Sequence, residues 1–316
     1  MKLAVSIDDF IKQSTSYCQT LKHCADAGFK YINLSIEKFE EYEEQLQSDS
    51  WRNGVEKIKN CIDELGLEII QTHAYGNSNL YAPGADWKDR MQKTIRSIEV
   101  SGALGVKNMV MHMQLAPDFT KEKFFEENRK VALYYKPYFE ENGVNLLIEN
   151  GPRKIFKKSR FTKNPEDTEM LWGFYSGQNM REFLDWLNLP FVQACWDTGH
   201  ANMNGNQYDE ILALGDKLKA LHVHDNFGEL DQHFVPFFGN TNFDELMHAL
   251  IDVKYKGAFA FETGNLFGCE TWSTKRREFN CDDRLKDVPI EIRKDMYKIL
   301  YKIGKHILSS YDCFEE

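Results

Sequence analysis

The sequence predicts an α/β chain folded as a (β/α)8 TIM barrel, with two insertions at the face formed by the C-terminal ends of the strands. Three observations carry this expectation. Short β-rich runs alternate with helical runs eight times within 316 residues, and such alternation builds a parallel sheet. Helical runs close at glycines, at Gly28, Gly66 and Gly143, so the connections are short. Six of the eight strand runs end in His, Asp or Glu, and barrels of this type carry their functional groups at those ends.

Lys2–Ile7 is the first β-rich run, and Thr15–Ala27 follows with Leu21, Cys24 and Ala25 at helical spacing. Tyr31–Ile36 is the second strand. The charged stretch Glu37–Ser50 reads as a loop and helix. Val55–Leu65 places Val55, Ile58, Cys61, Ile62 and Leu65 on one helical face before Gly66. Leu67–Thr72 is the third strand, running into His73, and Lys88–Leu104 is the next helix. Asn108–Met111 delivers His112, and Phe124–Asn142 is a long helix. Asn145–Ile148 delivers Glu149. The rhythm then breaks over Arg153–Gly177, basic first and aromatic later. Met180–Leu187 is helical, Val192–Trp196 delivers Asp197, and Tyr208–Leu214 is helical. Lys219–Val223 carries His222, Phe243–Val253 is helical, and Ala258–Phe261 delivers Glu262. A second irregular stretch, Asn265–Asp287, precedes a last helix at Ile290–Ile307. No repeat, low-complexity segment or long linker divides the chain, so residues 1–316 read as a single domain.

Composition narrows the function. Apolar residues make up 42% of the chain, enough for a sizeable core, and the net charge is −10. An acidic chain is a poor non-specific binder of nucleic acid. Seven cysteines without a C-x-x-C pair suit a reduced compartment rather than a disulfide framework. The apolar run in MKLAVSIDDF is too short for a signal segment, and no run of about 20 apolar residues occurs elsewhere. A cytoplasmic protein without a membrane partner is expected.

The stretch Leu221–Phe234 holds His222, His224, His233, Asp225 and Asp231, a concentration of groups that divalent metals favour. Taken singly, a strand-end His or Glu has an ordinary structural explanation in a carbonyl or Arg partner. Jointly, Glu149, Asp197 and Glu262 would converge on one barrel mouth, where three like charges repel strongly. No Lys or Arg stands at those strand ends. A divalent cation is the simplest neutraliser, and His222 supplies a nitrogen ligand. His73, His112 and His200 would line the same mouth. His23, His248 and His306 fall on predicted helices. His224, two residues past His222, would face the same side of a regular strand, either as a partner to the ligands or above the sheet in solvent, and is not read as a ligand. Cys195 and Trp196 read as core.

The strings QTHAYGN, MVMHMQ, LLIENG, CWDTGHAN, HVHDN, DQHFVPFFGN and FAFETGN resemble the strand-end motifs of the xylose-isomerase-like barrel superfamily. That superfamily contains sugar and sugar-phosphate isomerases and epimerases, inositol-catabolic enzymes and an apurinic/apyrimidinic endonuclease branch. The resemblance implies a divalent-metal-dependent isomerase or epimerase of a small sugar, sugar acid or sugar phosphate, with one metal (Zn, Mn or Mg) held by Glu149, Asp197, His222 and Glu262 and the two glutamates also moving protons. It implies contact of His200 with substrate oxygens. A metal on a substrate carbonyl makes the neighbouring proton easier to remove, and a nearby carboxylate is a suitable base.

The endonuclease branch is the rival implied by the same resemblance. There, the positions of His73, His112, Glu149, Asp197, His200, His222, Asp231, His233 and Glu262 hold three zinc ions. Against it stand the acidic chain and a basic cluster confined to one insertion, Arg153–Arg160. A third reading is a barrel that binds a sugar without turning it over. The first insertion reads either as a solvated excursion or subunit contact, or as a cover for a substrate anion with Trp172 and Phe174 as an apolar lid. Insertions on a barrel often make subunit contacts, which makes a homo-oligomer compatible with the sequence. Phe237-Phe238-Gly239 stands where many relatives carry Pro-Gly.

Overall fold

In the computed structural model the described residues are all except 37–41, 77, 154–156, 160–163, 165, 206 and 268–287. Eight parallel strands form one sheet in the order β7-β6-β5-β4-β3-β2-β1-β8. They are β1 (Leu3–Ser6), β2 (Tyr31–Ser35), β3 (Glu68–His73), β4 (Asn108–Met111), β5 (Asn145–Glu149), β6 (Val192–Asp197), β7 (Leu218–His222) and β8 (Phe259–Phe261). Val223 closes the ring, donating its N–H to Ala260 O at 2.8 Å and accepting from the Glu262 N–H at 3.0 Å. The expected (β/α)8 TIM barrel is therefore present.

The helices between and after the strands are α1 (Tyr17–Asp26), α2 (Trp51–Leu65), α3 (Trp87–Ala103), α4 (Lys121–Asn142), α5 (Gly177–Leu187), α6 (Thr198–Asn204), α7 (Gln207–Leu214), α8 (Phe243–Asp252) and α9 (Ile290–Ser310). Side chains fix their starts. Ser16, Asp86, Thr120, Ser176, Asp197 and Asn242 each accept a first-turn N–H, contributing about 0.5–2 kcal/mol apiece. Gly66 and Gly143 end α2 and α4 in the left-handed conformation, as their spacing suggests. None of the described helices is long and apolar enough to cross a membrane.

Strand periodicity sorts the side chains into two environments. One set packs outward into the helical layer, with Ile148, Trp196, Leu221 and Phe261 in the main apolar core. The alternating set points into the barrel, where Val110, Leu147, Cys195 and Ala220 form a small cluster of their own. Advancing two residues along β5, β6 and β7 from Leu147, Cys195 and Ala220 reaches Glu149, Asp197 and His222. The apolar plug thus sits directly beneath the polar mouth. Burial pushes the Cys195 thiol up to about 12, consistent with a core role.

Two differences from the sequence reading matter. No helix occupies the described part of Glu37–Ser50. A short helix, α6, follows Asp197 where none was expected, because the Asp197 side chain itself accepts the His200 N–H at 2.6 Å and starts a turn. In the first insertion, Phe174 is 1% exposed and packs against Phe124 and Phe183 at 4.7 and 4.9 Å. Trp172 packs on Phe124 and Phe125. These rings are outer core, and the lid reading is set aside for them. Lys154, Arg160 and nearly all of the second insertion lie outside the described residues.

Candidate active site

All nine expected residues converge at the mouth. With His224 they fall into three groups, each with ligand atoms within 4.8 Å of one another: His73, His112 and Glu149; Glu149, Asp197, His222 and Glu262; and His200, His224, Asp231 and His233. Glu149 belongs to two of them. Its Oε1 lies 2.9 Å from His222 Nδ1, and its Oε2 lies 3.3 Å from His112 Nε2 and 3.5 Å from His73 Nε2. His222 Nδ1 is also 3.3 Å from Glu262 Oε1. His112 is the most open member, at 45% side-chain exposure.

Backbone carbonyls orient three of the imidazoles. His73 Nδ1 meets Ala74 O at 2.8 Å, His200 Nδ1 meets Asn150 O at 2.9 Å, and His233 Nδ1 meets Glu262 O at 2.8 Å. In each pair the ring must donate, since the carbonyl only accepts. In a neutral imidazole the opposite nitrogen then presents a lone pair. Those Nε2 atoms face carboxylate oxygens: His73 faces Glu149, while His200 and His233 face Asp231 Oδ1 at 3.4 and 3.1 Å. Lone pair against carboxylate is repulsive unless a proton or a cation lies between.

Electrostatics gives the same answer. Burial disfavours the imidazolium of His73, but Glu149 outweighs it and lifts the ring to about 9. Burial likewise opposes protonation of His200, and Asp197 and Asp231 lift it to about 10. Burial alone would raise Glu149, yet His222, His112 and His73 hold it well below the usual carboxylate range. Glu262 is displaced upward, by burial first and by repulsion from Glu149. Among the described residues, Oε2 of Glu149, Oδ2 of Asp197 and Nε2 of His224 are buried with no hydrogen-bond partner. A divalent cation suits this donor set: imidazole nitrogens fixed by carbonyls, and carboxylate oxygens with unused lone pairs.

Several positions that hold the site residues in place carried no strong sequence signal. Asn150 pairs with the Asp197 backbone, donating to its O at 3.0 Å and accepting from its N–H at 2.6 Å. Its own carbonyl holds His200. Its place beside Glu149 was the only clue. Asn33 lies 3.3 Å from His222 Nε2 across the barrel. Asp225 accepts four backbone N–H groups, from Asn226, Phe237, Gly239 and Thr241, at 2.8–3.0 Å. It shapes the loop that carries Asp231 and His233.

His224 faces the same side as His222, as expected. Val223, just past the last strand residue, still pairs with Ala260 and Glu262 and packs in the outer core, which turns the next side chain to the mouth. His224 Nε2 lies 3.1 Å from Asp197 Oδ1 and 3.9 Å from Asp231 Oδ1. The ring is wholly buried.

The mouth encloses about 370 Å³, and its lining includes Asp8, Ser35 and Gly264 besides the histidines and carboxylates. No Lys or Arg lines it among the described residues. A cavity of this size accommodates a small molecule.

Comparison with known proteins agrees with the architecture. The family model described as xylose isomerase-like TIM barrel matches residues 21–277. An uncharacterized protein of Methanocaldococcus jannaschii, MJ1614, is 31% identical over 259 residues, covering 77% of this chain and 85% of its own. Among solved structures, D-psicose 3-epimerase from Clostridium cellulolyticum H10, determined with D-tagatose, is similar at a TM-score of 0.69 and 16% identity, covering 98% of this chain and 99% of that one. The IOLI protein with a binding zinc atom is similar at a TM-score of 0.69 and 16% identity, with 100% of both chains covered. At that identity the likeness is one of fold.

Proposed function

We propose, for a chain that belongs to the xylose isomerase-like TIM barrel family, that it is a divalent-metal-dependent isomerase or epimerase of a small neutral sugar. The observation that carries this reading is the inward aim of three carbonyl-anchored imidazoles at carboxylate oxygens. Similarity to a sugar 3-epimerase and to a zinc-binding IOLI protein supports it.

Glu149, Asp197, His222 and Glu262 would hold the ion, which when bound supplies charge neutralisation and polarisation of a substrate carbonyl. Glu149 and Glu262 are the proton carriers in this proposal. One removes the proton beside the carbonyl and the other returns one on the opposite face, a division that suits carboxylates displaced in opposite directions. His222, within 3.3 Å of both, fixes their separation. His200 and His73 face the cavity and can bond substrate hydroxyls. The absence of Lys and Arg from the described lining favours a substrate without phosphate, since oxyanions are recognised by such groups.

A second reading, a zinc-cluster apurinic/apyrimidinic endonuclease, is favoured by one observation: three ligand groups instead of one. The same cation-poor lining disfavours a phosphodiester substrate.

The test is deuterium exchange. Metal-loaded protein is incubated in heavy water with a panel of ketoses, and deuterium entering at the carbon beside the carbonyl is followed by NMR. Wash-in dependent on metal and on Glu149 is expected. Cleavage of an abasic duplex with no wash-in from any ketose would transfer the assignment to the second reading.

A further inference from the structure

A second cavity, of about 400 Å³, shares no lining residue with the mouth. It lies between the first insertion, the N-terminal turn of α5 and the short helix α6. Its size is that of a small-molecule site.

Its wall contains an unmet donor. Trp196 precedes Asp197 in β6 and takes the opposite face of the strand, so it leaves the barrel mouth and borders this cavity. The residue is 1% exposed, and its indole Nε1 is buried with no hydrogen-bond partner among the described residues. Indole N–H can only donate, and a buried donor without an acceptor is unfavourable. An occupant of this cavity is therefore expected to bring an acceptor.

Charge at the rim specifies the acceptor further. Arg153 lines the cavity, is exposed, and has no ion pair among the described residues. Its backbone is fixed, with the N–H donating to Asn204 Oδ1 at 3.1 Å. Ser176 caps α5, whose first turn carries no acidic residue, so the helix end adds positive potential. Glu210 also faces the cavity, but its carboxylate accepts the Gln178 N–H at 3.2 Å. Leu171 and Trp172 supply an apolar wall.

The geometry points to a second ligand site for a small organic anion, its oxyanion held by Arg153 and the Trp196 indole N–H and its apolar body against Leu171 and Trp172. This site is separate from the sugar chemistry at the mouth and does not depend on it.

Indole-¹⁵N labelling tests it in the full chain. Six tryptophans give six indole signals, and Trp196→Phe identifies the one from Trp196. Phenyl phosphate and benzoate are titrated as probes, with benzyl alcohol as the neutral control. A saturable shift of the Trp196 signal with either anion is expected, and the preferred anion distinguishes a phosphate from a carboxylate ligand. Arg153→Gln, at an exposed position, should weaken binding about tenfold, with metal content and sugar turnover unchanged. The inference is overturned if the signal stays fixed up to about 10 mM of both anions. It is equally overturned if Arg153→Gln binds as tightly as the parent, or if benzyl alcohol shifts the signal as strongly.

Discussion

The imidazoles of His224 and His233 stack face to face, with centroids 3.8 Å apart and planes 12° from parallel. His233 adopts a positive φ of 52° to reach this position, in a loop held by Asp225. The stack lays one face of the His200, Asp231 and His233 group against a ring that is itself wedged on the backbone of Gly199. A Cβ at Gly199 would lie 1.9 Å from His224 Cε1.

Gly199→Ala should therefore displace His224 and loosen the site. Overpacking of this kind costs about 1–3 kcal/mol, read as a fall in the urea midpoint. Turnover should drop by more than the stability loss explains. A variant with parental stability and activity would show that the ring has room to move.

Glu149→Gln keeps the volume and removes the charge shared by two ligand groups. Metal affinity should fall, and turnover should fall about 10²–10⁴-fold, the usual range for loss of a general base. Elemental analysis and steady-state kinetics on the same preparation check both. Unchanged turnover would remove Glu149 from the role assigned to it.

Chelated protein should lose stability as pH rises. His73 and His200 are raised in the folded state to about 9 and about 10, above an unfolded value of about 6.5. A raised imidazole contributes fully below its unfolded value, and the contribution disappears as pH climbs through the folded one. The loss should fall between about pH 6.5 and 10. Zinc should abolish most of it by replacing the protons, and at a hundred times its Kd it should add about 2.7 kcal/mol. Urea midpoints with and without metal at both ends of that range decide the matter. Equal stability of the chelated form at the two pH values would contradict it.

Asp225→Ala leaves the N–H groups of Phe237, Gly239 and Thr241 without their acceptor. Each buried donor left unpaired costs about 1–3 kcal/mol, and hydrogen bonds to charged groups are the stronger ones. Faster amide exchange across residues 226–241 is expected, with weaker metal retention because Asp231 and His233 ride on that loop. Unaltered exchange there would show that the loop is held by other contacts.

The barrel and the ring of groups at its mouth were legible in the order of the residues alone. Both follow from local rules: a period of two places Glu149, Asp197 and His222 inward above Leu147, Cys195 and Ala220, and strand-helix alternation makes the sheet parallel. How those groups divide, that Glu149 serves two of them, and that His224 packs on Gly199 emerge once the barrel is closed. Asn150 and Asp225 also gained their parts there, as holders of Asp197, His200 and the loop after β7. The reason is that periodicity fixes the direction of a side chain within one strand. Distances between side chains of different strands and loops depend on closure of the barrel and on the backbone carbonyls and amides it brings into reach.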